Sequence, residues 1–493
     1  MNVQRPIVAG FYPDPSICRA GDRYYLVNSS FEYLPGLPIH ASTDLTAWEI
    51  VGNALTRPSQ ISEHAGAANT GVYAPTIRYH DGLFWIIGTN VLDLGSGLGH
   101  FIITAETPNG PWSDPIHLRG VLGIDPDLAW DDVGVCHVTW SSVDQNFPGI
   151  VSAPIDTRSG ALLRDPIQLW QGTGGAHPEG PHLYRIAGWW YLLLAEGGTE
   201  RAHTVTIARA EHLEGPFEPA PNNPILTHRG TAHPVQNVGH ADLVELADGS
   251  WAAVHLGVQV RGATPGFHVN GRETFLVGID WVDGWPVVDE NNFEIPPEDH
   301  AFVDEFHDNT FDPRWVGAGT FPESFTRASA AGLVIDAVHK APGKSVLAFR
   351  ARDDHWSAEA RIDAANGVGR FLVRIDDKHW YGLTFDGITI EASLTIGPIT
   401  HTVGQIKIEG SQCPTLSISS HPAAGNQFFG PDEPDLIELA VCVPGGPKEV
   451  FGSFDGRYLS TEVAGGFIGR MIGVEALQGS IVLERVEYCG STT

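Results

Sequence analysis

Positive charge is scarce in this sequence. Its 493 residues carry 29 Lys and Arg against 59 Asp and Glu, a formal net charge of −30. Nucleic acid and anionic membranes both ask for a Lys/Arg surface, so charge argues against both as partners. Cysteine is sparse and odd in number: Cys18, Cys136, Cys413, Cys442 and Cys489, with no Cys-x-x-Cys pair. That pattern speaks for buried free thiols in a reducing compartment and against a disulfide framework or a thiolate zinc site. No apolar run reaches the about 18 residues of a membrane span, and no long stretch has capped helical periodicity. The opening Met1-Asn2-Val3-Gln4-Arg5-Pro6-Ile7 lacks the basic and apolar regions of a secretory leader, so a cytoplasmic location is expected. Neither His-Glu-x-x-His nor Gly-x-Ser-x-Gly occurs, and Gly95-Ser96-Gly97-Leu98-Gly99 opens no helix. No metal ligand set and no required cofactor are therefore expected.

Turn formers and aromatics are plentiful instead, with 57 Gly, 35 Pro and 14 Trp. A short unit returns five times: Pro15-Ser16-Ile17, Pro75-Thr76-Ile77, Pro126-Asp127-Leu128, Pro181-His182-Leu183 and Ala241-Asp242-Leu243, at steps of 60, 51, 55 and 60 residues. Each unit is followed by a Gly-bearing turn (Gly21-Asp22, Asp81-Gly82, Val133-Gly134, Ala187-Gly188, Asp248-Gly249) and an aromatic or β-branched run. A second hairpin recurs at Gly110-Pro111-Trp112 and Gly215-Pro216-Phe217, more weakly after Gly160. Two hairpins make four strands, and five such repeats predict a five-bladed β-propeller.

The repeat stops near Val288. A polar, Pro-bearing stretch, Asp289 to Asp299, reads as a linker. Beyond it, alternating strands are expected at 357–362, 370–375, 388–394 and 481–488, which suits a β-sandwich. The whole chain is thus all-β, with a propeller over residues 1–298 and a sandwich over 299–493.

Three units carry an acid at the anchor. Asp14 and Asp125 directly precede the Pro, and Glu179 stands two before Pro181. On a propeller these carboxylates converge on the axis, and convergent carboxylates are the chemistry of glycoside hydrolysis. A lone Asp-Pro is ordinarily a turn, but two in repeat register with a Glu beside them favour a site. Glu179 is one residue out of register, and a β-bulge would re-aim it. Arg272 suits sugar hydroxyls with its fixed fork, or a structural ion pair with Glu273 or another acid. Phe31 and Tyr73 stack a sugar face or pack a core. His240 takes the acid's place at the fifth anchor, where it binds a water or ion such as calcium or satisfies inward-facing backbone.

At these residues the chain resembles glycoside hydrolase family 43. The resemblance rests on Gly10-Phe11-Tyr12-Pro13-Asp14-Pro15-Ser16-Ile17, Ser30 to Gly36, Ile124-Asp125-Pro126, Pro178 to Tyr184, Ala195 to Thr199 and Gly271-Arg272-Glu273-Thr274. Phe302-Val303-Asp304-Glu305-Phe306 is similar to the start of the sandwich domain in the β-xylosidase and arabinofuranosidase branches. The resemblance implies a five-bladed propeller and exo-acting, inverting hydrolysis of xylo- or arabino-oligosaccharides. It implies Asp14 as general base, Glu179 as general acid, Asp125 as the acid that orients Glu179 and sets its pKa, Arg272 as a substrate contact and His240 as a central histidine. Two positions depart from the pattern. Tyr73 and Thr76 stand where Trp and His are usual, and Asp127 stands where Ser is usual, adding a carboxylate near the site.

The expected function is a β-xylosidase acting on small oligosaccharides, with some α-L-arabinofuranosidase activity. A dedicated arabinofuranosidase is the alternative that Tyr73 and Thr76 leave open, and a non-catalytic sugar-binding propeller the alternative from another class. A homo-oligomer is compatible with the sequence.

Overall fold

The computed structural model describes residues 4–63, 68–262, 265–307, 311–338, 345–408, 413–422 and 434–490. Met1–Val3, part of the opening read for a leader, lie outside these. Five antiparallel sheets form the N-terminal ring. Blade 1 is Ser16–Ala20, Arg23–Val27, Gly36–Ser42 and Glu49–Leu55, and blade 2 is Val72–His80, Leu83–Asn90, His100–Ala105 and Ile116–His117. Blade 3 is Gly123–Trp130, Cys136–Ser142 and Gly149–Asp156, its outer edge split into Ala161–Leu162 and Ile167–Trp170. Blade 4 is Glu179–Ile186, Trp189–Glu196, Thr204–Ala210 and Glu218–Pro219; blade 5 is Val235–Glu245, Trp251–Gln259, Glu273–Val282 and Trp285–Asp289.

Each anchor strand pairs with the aromatic strand that follows its Gly turn: Ile17 opposite Leu26, Ile77 opposite Ile86, Leu128 opposite Val138, Leu183 opposite Leu192, Leu243 opposite Ala253. Alternate side chains then leave opposite faces of each blade and meet those of the next. Ile39 and Ile103 fill the seam between blades 1 and 2, Ile102 and Val138 that between 2 and 3, Ile150 and Leu192 that between 3 and 4. Leu193 and Val277 fill the next seam, and Leu26 and Val254 the last. The ring is closed by backbone hydrogen bonds from Ile7 and Val8 to Thr274 in blade 5 (2.8 and 3.3 Å).

The axis is filled by the residues in the middle of the repeat: Ser16, Asp127, His182 and Asp242, all buried. Arg78 of blade 2 reaches between them, 2.7 Å from Asp127 Oδ1 and 2.7 Å from Asp242 Oδ2. His182 Nδ1 lies 2.9 Å from the same guanidinium, and Tyr184 donates its hydroxyl to Asp242. Asp127 thus belongs to the axial network and does not add a carboxylate to the catalytic face; Arg78 and the Leu183 amide, 2.8 Å from Oδ2, hold it there. Removing one partner of a buried pair leaves charge uncompensated, at a cost of about 3–5 kcal/mol. Arg78→Met strands two aspartates, and chemical denaturation is expected to register a loss of at least that size. Adding Asp127→Asn and Asp242→Asn to Arg78→Met should recover part of it; no recovery would refute the charge explanation.

The C-terminal region, from Phe302 to Gly490, is one sheet of fourteen strands folded on itself, counting one strand borrowed from the propeller. The strands expected at 357–362 and 370–375 are one, Trp356–Asp376, which pairs along most of its length with Met471–Gly490. The burial phase explains the difference. Trp356, Ala358, Ala360 and Ile362 face the core, then Phe371, Val373 and Ile375 do, and register shifts between 361 and 369 absorb the change of parity. The strand bends there and serves both layers of a sandwich. Its core also holds Phe11, Phe31 and Tyr33 of the propeller, and Tyr33–Leu34 pairs with Gly317 and Ala318. The chain crosses from Asp289, the last propeller strand, to Phe302, the first of the sandwich.

Candidate active site

The acids lie where the anchor strands start, and the backbone there is unusual. Asp14, Asp125 and His240, each directly before the anchor, adopt left-handed φ values of 52°, 55° and 48°. For residues with a Cβ this conformation costs on the order of 1–3 kcal/mol and concentrates at functional sites. Register shifts follow in blades 2 to 5, between Tyr73 and Thr76, Ile124 and Asp127, Glu179 and His182, and Gly239 and Asp242. The bulge expected at Glu179 is therefore a feature of the repeat, not of blade 4 alone. What is particular to blade 4 is that Gly180 takes the left-handed position, at φ 55°. A Cβ at residue 180 would lie 3.0 Å from the ring of His240, so the acid comes from the preceding residue.

Asp14 is buried and held ionised. Arg272 Nη1 lies 2.7 Å from Oδ1 and the Ser29 hydroxyl 2.6 Å from Oδ2, while His240 Nδ1 stands 4.0 Å away. Burial alone would raise the carboxyl, but Arg272 and the Ser29 hydrogen bond outweigh it, and the pKa falls below the ordinary aspartate value. Arg272 is thus paired with Asp14, not with Glu273, which accepts from the Gly10 amide and Gln259. Its second contact is the Thr199 hydroxyl at 3.0 Å.

Glu179 is the opposite case. Burial first, then the negative charge of Asp14, push it up to about 7. Asp125 is shifted upward as well, by burial and by Glu179, so the two carboxyls titrate as a pair. The sequence reading made Asp125 the charge that keeps Glu179 protonated. In the structure burial and Asp14 raise Glu179, and Asp125 and Glu179 also raise one another as a pair. Asp125 acts on position as well: its Oδ2 accepts the Gly180 amide at 3.2 Å and holds the segment that carries Glu179. A carboxylate held low beside a carboxyl held high is the division of labour of a base and an acid.

Phe31, expected either to stack a sugar face or to pack a core, packs a core. It is 1 % exposed, packed on Phe11 and Tyr73, and its remaining face is stacked by Phe467 at 5.6 Å and 20°. Its ring supports Arg272, 5.7 Å from the centroid, and does not present an open face to a sugar. Tyr73 is half-buried, donates to the Asn69 carbonyl at 2.9 Å and meets Phe467 edge-on at 5.8 Å. Thr76, at the axial register beside Ser16 and Asp127, is buried. His240, 6.5 Å from the ring of His182, has a pKa lowered to about 4 by burial and is neutral.

The sequence reading missed several residues. His203 is fully buried, donates its Nδ1–H to Asn237 O (2.9 Å), and puts Nε2 3.9 Å from Glu179. It carries no repeat signature. Phe467 comes from the sandwich, over four hundred residues from Phe31, and lies 5.4 Å from the Arg272 guanidinium. Its amide donates to Asn69 Oδ1 at 2.7 Å. The preceding Gly466, at φ 89°, packs so closely on Asn69 that a Cβ would sit 2.0 Å from its side chain. Nothing local in the sequence marks that insertion.

An ionised carboxylate anchored by arginine, beside a buried carboxyl kept protonated near neutrality, on a five-bladed propeller, defines an acid–base glycoside hydrolase. Residues 3–286 match the family model for glycosyl hydrolases family 43. The chain belongs to that family. It is 42% identical to a xylosidase/arabinosidase of Butyrivibrio fibrisolvens over 96% of this chain and 95% of that one. It is 34% identical to a non-reducing end alpha-L-arabinofuranosidase of Bacteroides ovatus, over 96% and 91%. Among solved structures, a xylan beta-1,4-xylosidase from Bacillus halodurans C-125 superposes with a TM-score of 0.88 at 27% identity, covering 99% of this chain and 100% of that one.

Proposed function

We propose that this enzyme removes single sugars from the non-reducing end of xylo- and arabinoxylo-oligosaccharides, as a β-xylosidase that also accepts α-L-arabinofuranosides. The observation that carries the chemistry is the unequal pair, Asp14 ionised by Arg272 and Glu179 protonated by burial and by Asp14. Asp14 takes a proton from water as the water attacks the anomeric carbon, and Glu179 gives its proton to the leaving oxygen. Arg272 keeps Asp14 ionised and Asp125 holds Glu179 through the Gly180 amide. The exo reading draws support from Phe467, which the sandwich inserts beside Arg272 and Tyr73 at one side of the site. The arabinoside activity draws support from relatives whose names carry both activities. Action in the cytoplasm on imported oligosaccharides is part of the same proposal, and cell fractionation tests it.

Turnover of nitrophenyl β-xyloside against nitrophenyl α-arabinofuranoside, with product analysis on xylo-oligosaccharides, decides the preference and the mode. Xylose as the sole early product is expected, and release of longer fragments would overturn the exo reading. Inversion is expected as well, as the resemblance to family 43 implies, with Asp14 activating water and Glu179 protonating the leaving oxygen. Proton NMR of the first-formed xylose should detect the α anomer before mutarotation; the β anomer appearing first would overturn it.

The pH profile follows from the same two groups. The acid must be protonated, so kcat/KM should fall as pH rises through about 7, where Glu179 loses its proton. The base must be ionised, and a lowered Asp14 keeps it so to below the ordinary aspartate range. The acid limb is therefore expected below about pH 4. Glu179→Gln should abolish the basic limb in whatever activity remains.

A further inference from the structure

Outside the catalytic face, a cluster of ligand-bearing side chains lies at the connection between blades 4 and 5. His228 and His233 lie on it, and Glu290 directly follows the last propeller strand, Trp285–Asp289. Among the described residues this is the one cluster of three His, Cys, Asp or Glu side chains whose ligand atoms all approach one another within 4.8 Å. The two imidazole rings are in contact, with centroids 3.9 Å apart. His228 Nε2 stands 2.7 Å from Glu290 Oε2.

The backbone around the cluster prepares these nitrogens. His228 Nδ1 and His233 Nδ1 both lie within hydrogen-bond distance of one carbonyl, Val235 O, at 2.7 and 3.1 Å. For His228, an Nδ1–H donated to that oxygen leaves Nε2 open to a metal once the proton it shares with Glu290 Oε2 is displaced, while His233 Nδ1 also lies 3.2 Å from the Val235 amide, which donates to it. Fixing a histidine tautomer through a carbonyl on the far nitrogen is the usual support of a metal-binding imidazole. A third imidazole, His255, is fully buried within electrostatic reach of all three groups, and its Nε2 has no hydrogen-bond partner. Glu290 is about one-third exposed (side chain 36%), which leaves an entry path from solvent.

We propose that His228, His233 and Glu290 bind a divalent transition-metal ion, with zinc(II) the best match. Two imidazoles and one carboxylate suit zinc, which takes such ligands at about 2.0–2.2 Å in tetrahedral geometry with water completing the shell. The hard, all-oxygen preference of calcium and magnesium disfavours them here. The bound ion ties the end of the propeller to the connection that enters its last blade. It fastens the ring near its closure and takes no part in hydrolysis. No Cys-x-x-Cys or His-Glu-x-x-His spacing announces the site, because its ligands come from two segments 57 residues apart in the chain.

The test uses the full-length protein stripped with a chelator and titrated with zinc chloride against a chromophoric competitor. One equivalent is expected to bind, with a rise in melting temperature and unchanged turnover of nitrophenyl xyloside. His233→Ala and Glu290→Gln, both on partly exposed side chains, should each weaken zinc affinity by at least about tenfold and remove the thermal shift. Cobalt(II) in place of zinc should give the intense visible absorption of a tetrahedral site in the wild type and lose it in both variants. Failure of the wild type to bind an equivalent would overturn the proposal, and so would variants that bind as tightly as the wild type.

Discussion

Glu179→Ala, Asp14→Asn and Asp125→Ala are each expected to keep the fold and to lower turnover of xylobiose by about 10²- to 10⁴-fold, the usual worth of one general acid or base. The three losses should differ in kind. Without Glu179 the leaving oxygen departs unprotonated, so a nitrophenolate, which needs no proton, should be released much closer to the wild-type rate. Without the Asp14 carboxylate the attacking water is not activated, and a better leaving group should rescue little. Asn at residue 14 keeps a partner for the Ser29 hydroxyl and avoids opening a void beside Arg272. Asp125→Ala frees the Gly180 amide and so loosens the segment behind Glu179. It should lower kcat for both substrate types and alter the basic limb of the pH profile. Thermal melts of each variant separate these effects from unfolding. Near wild-type hydrolysis of xylobiose by any of the three would remove that residue from its role.

A chain ending at Glu298 is expected to be insoluble or inactive. The reason is the seam between the two domains. Phe11, Phe31 and Tyr33 belong to the sandwich core, and Tyr33–Leu34 is paired with Gly317–Ala318. Arg350 donates to the Phe11 carbonyl at 2.6 Å and lies 4.4 Å over Tyr12, two residues from Asp14. Truncation exposes those rings to water at about 1.5–3 kcal/mol for each large side chain, and takes Phe467 away from Arg272 and Tyr73. Expression of residues 1–298, followed by solubility and xylobiose assays, checks this. A soluble, fully active propeller that has lost only xylan binding would mean that the sandwich is an independent carbohydrate-binding module. A milder variant, Phe467→Ala in the intact chain, should leave the fold in place and weaken substrate binding, seen as a rise in KM.

The repeat was legible because a blade is a local object. Pro-x-Ile units, Gly turns and aromatic return strands lie within about 60 residues of one another, and each hairpin forms from neighbours in sequence. The acids stood out for the same reason, since near-equivalent places in blades 1, 3 and 4 converge on one axis. Legibility failed where a residue's surroundings come from far along the chain. Asp127 looked like a further acid beside Asp125, yet Arg78 from another blade draws it into the axial network. Phe31 looked available to a sugar, yet Phe467 covers it. The strands expected at 357–362 and 370–375 looked separate because alternation breaks between them, whereas register shifts carry one strand through the break.

The sequence by itself determined the all-β class, the five blades and the resemblance that gives the family, and it singled out the three acids proposed to act. These depend on short-range patterning and on a period that any reader of the chain can count. Only the tertiary structure decided which carboxyl is ionised and which is protonated. A pKa depends on burial and on charges within a few ångströms, and for Asp14 and Glu179 those come from their burial, from Arg272 beside blade 5 and from each other. The same holds for the His228, His233 and Glu290 cluster, which meets only when the last strand of blade 5 folds back against the connection that enters that blade.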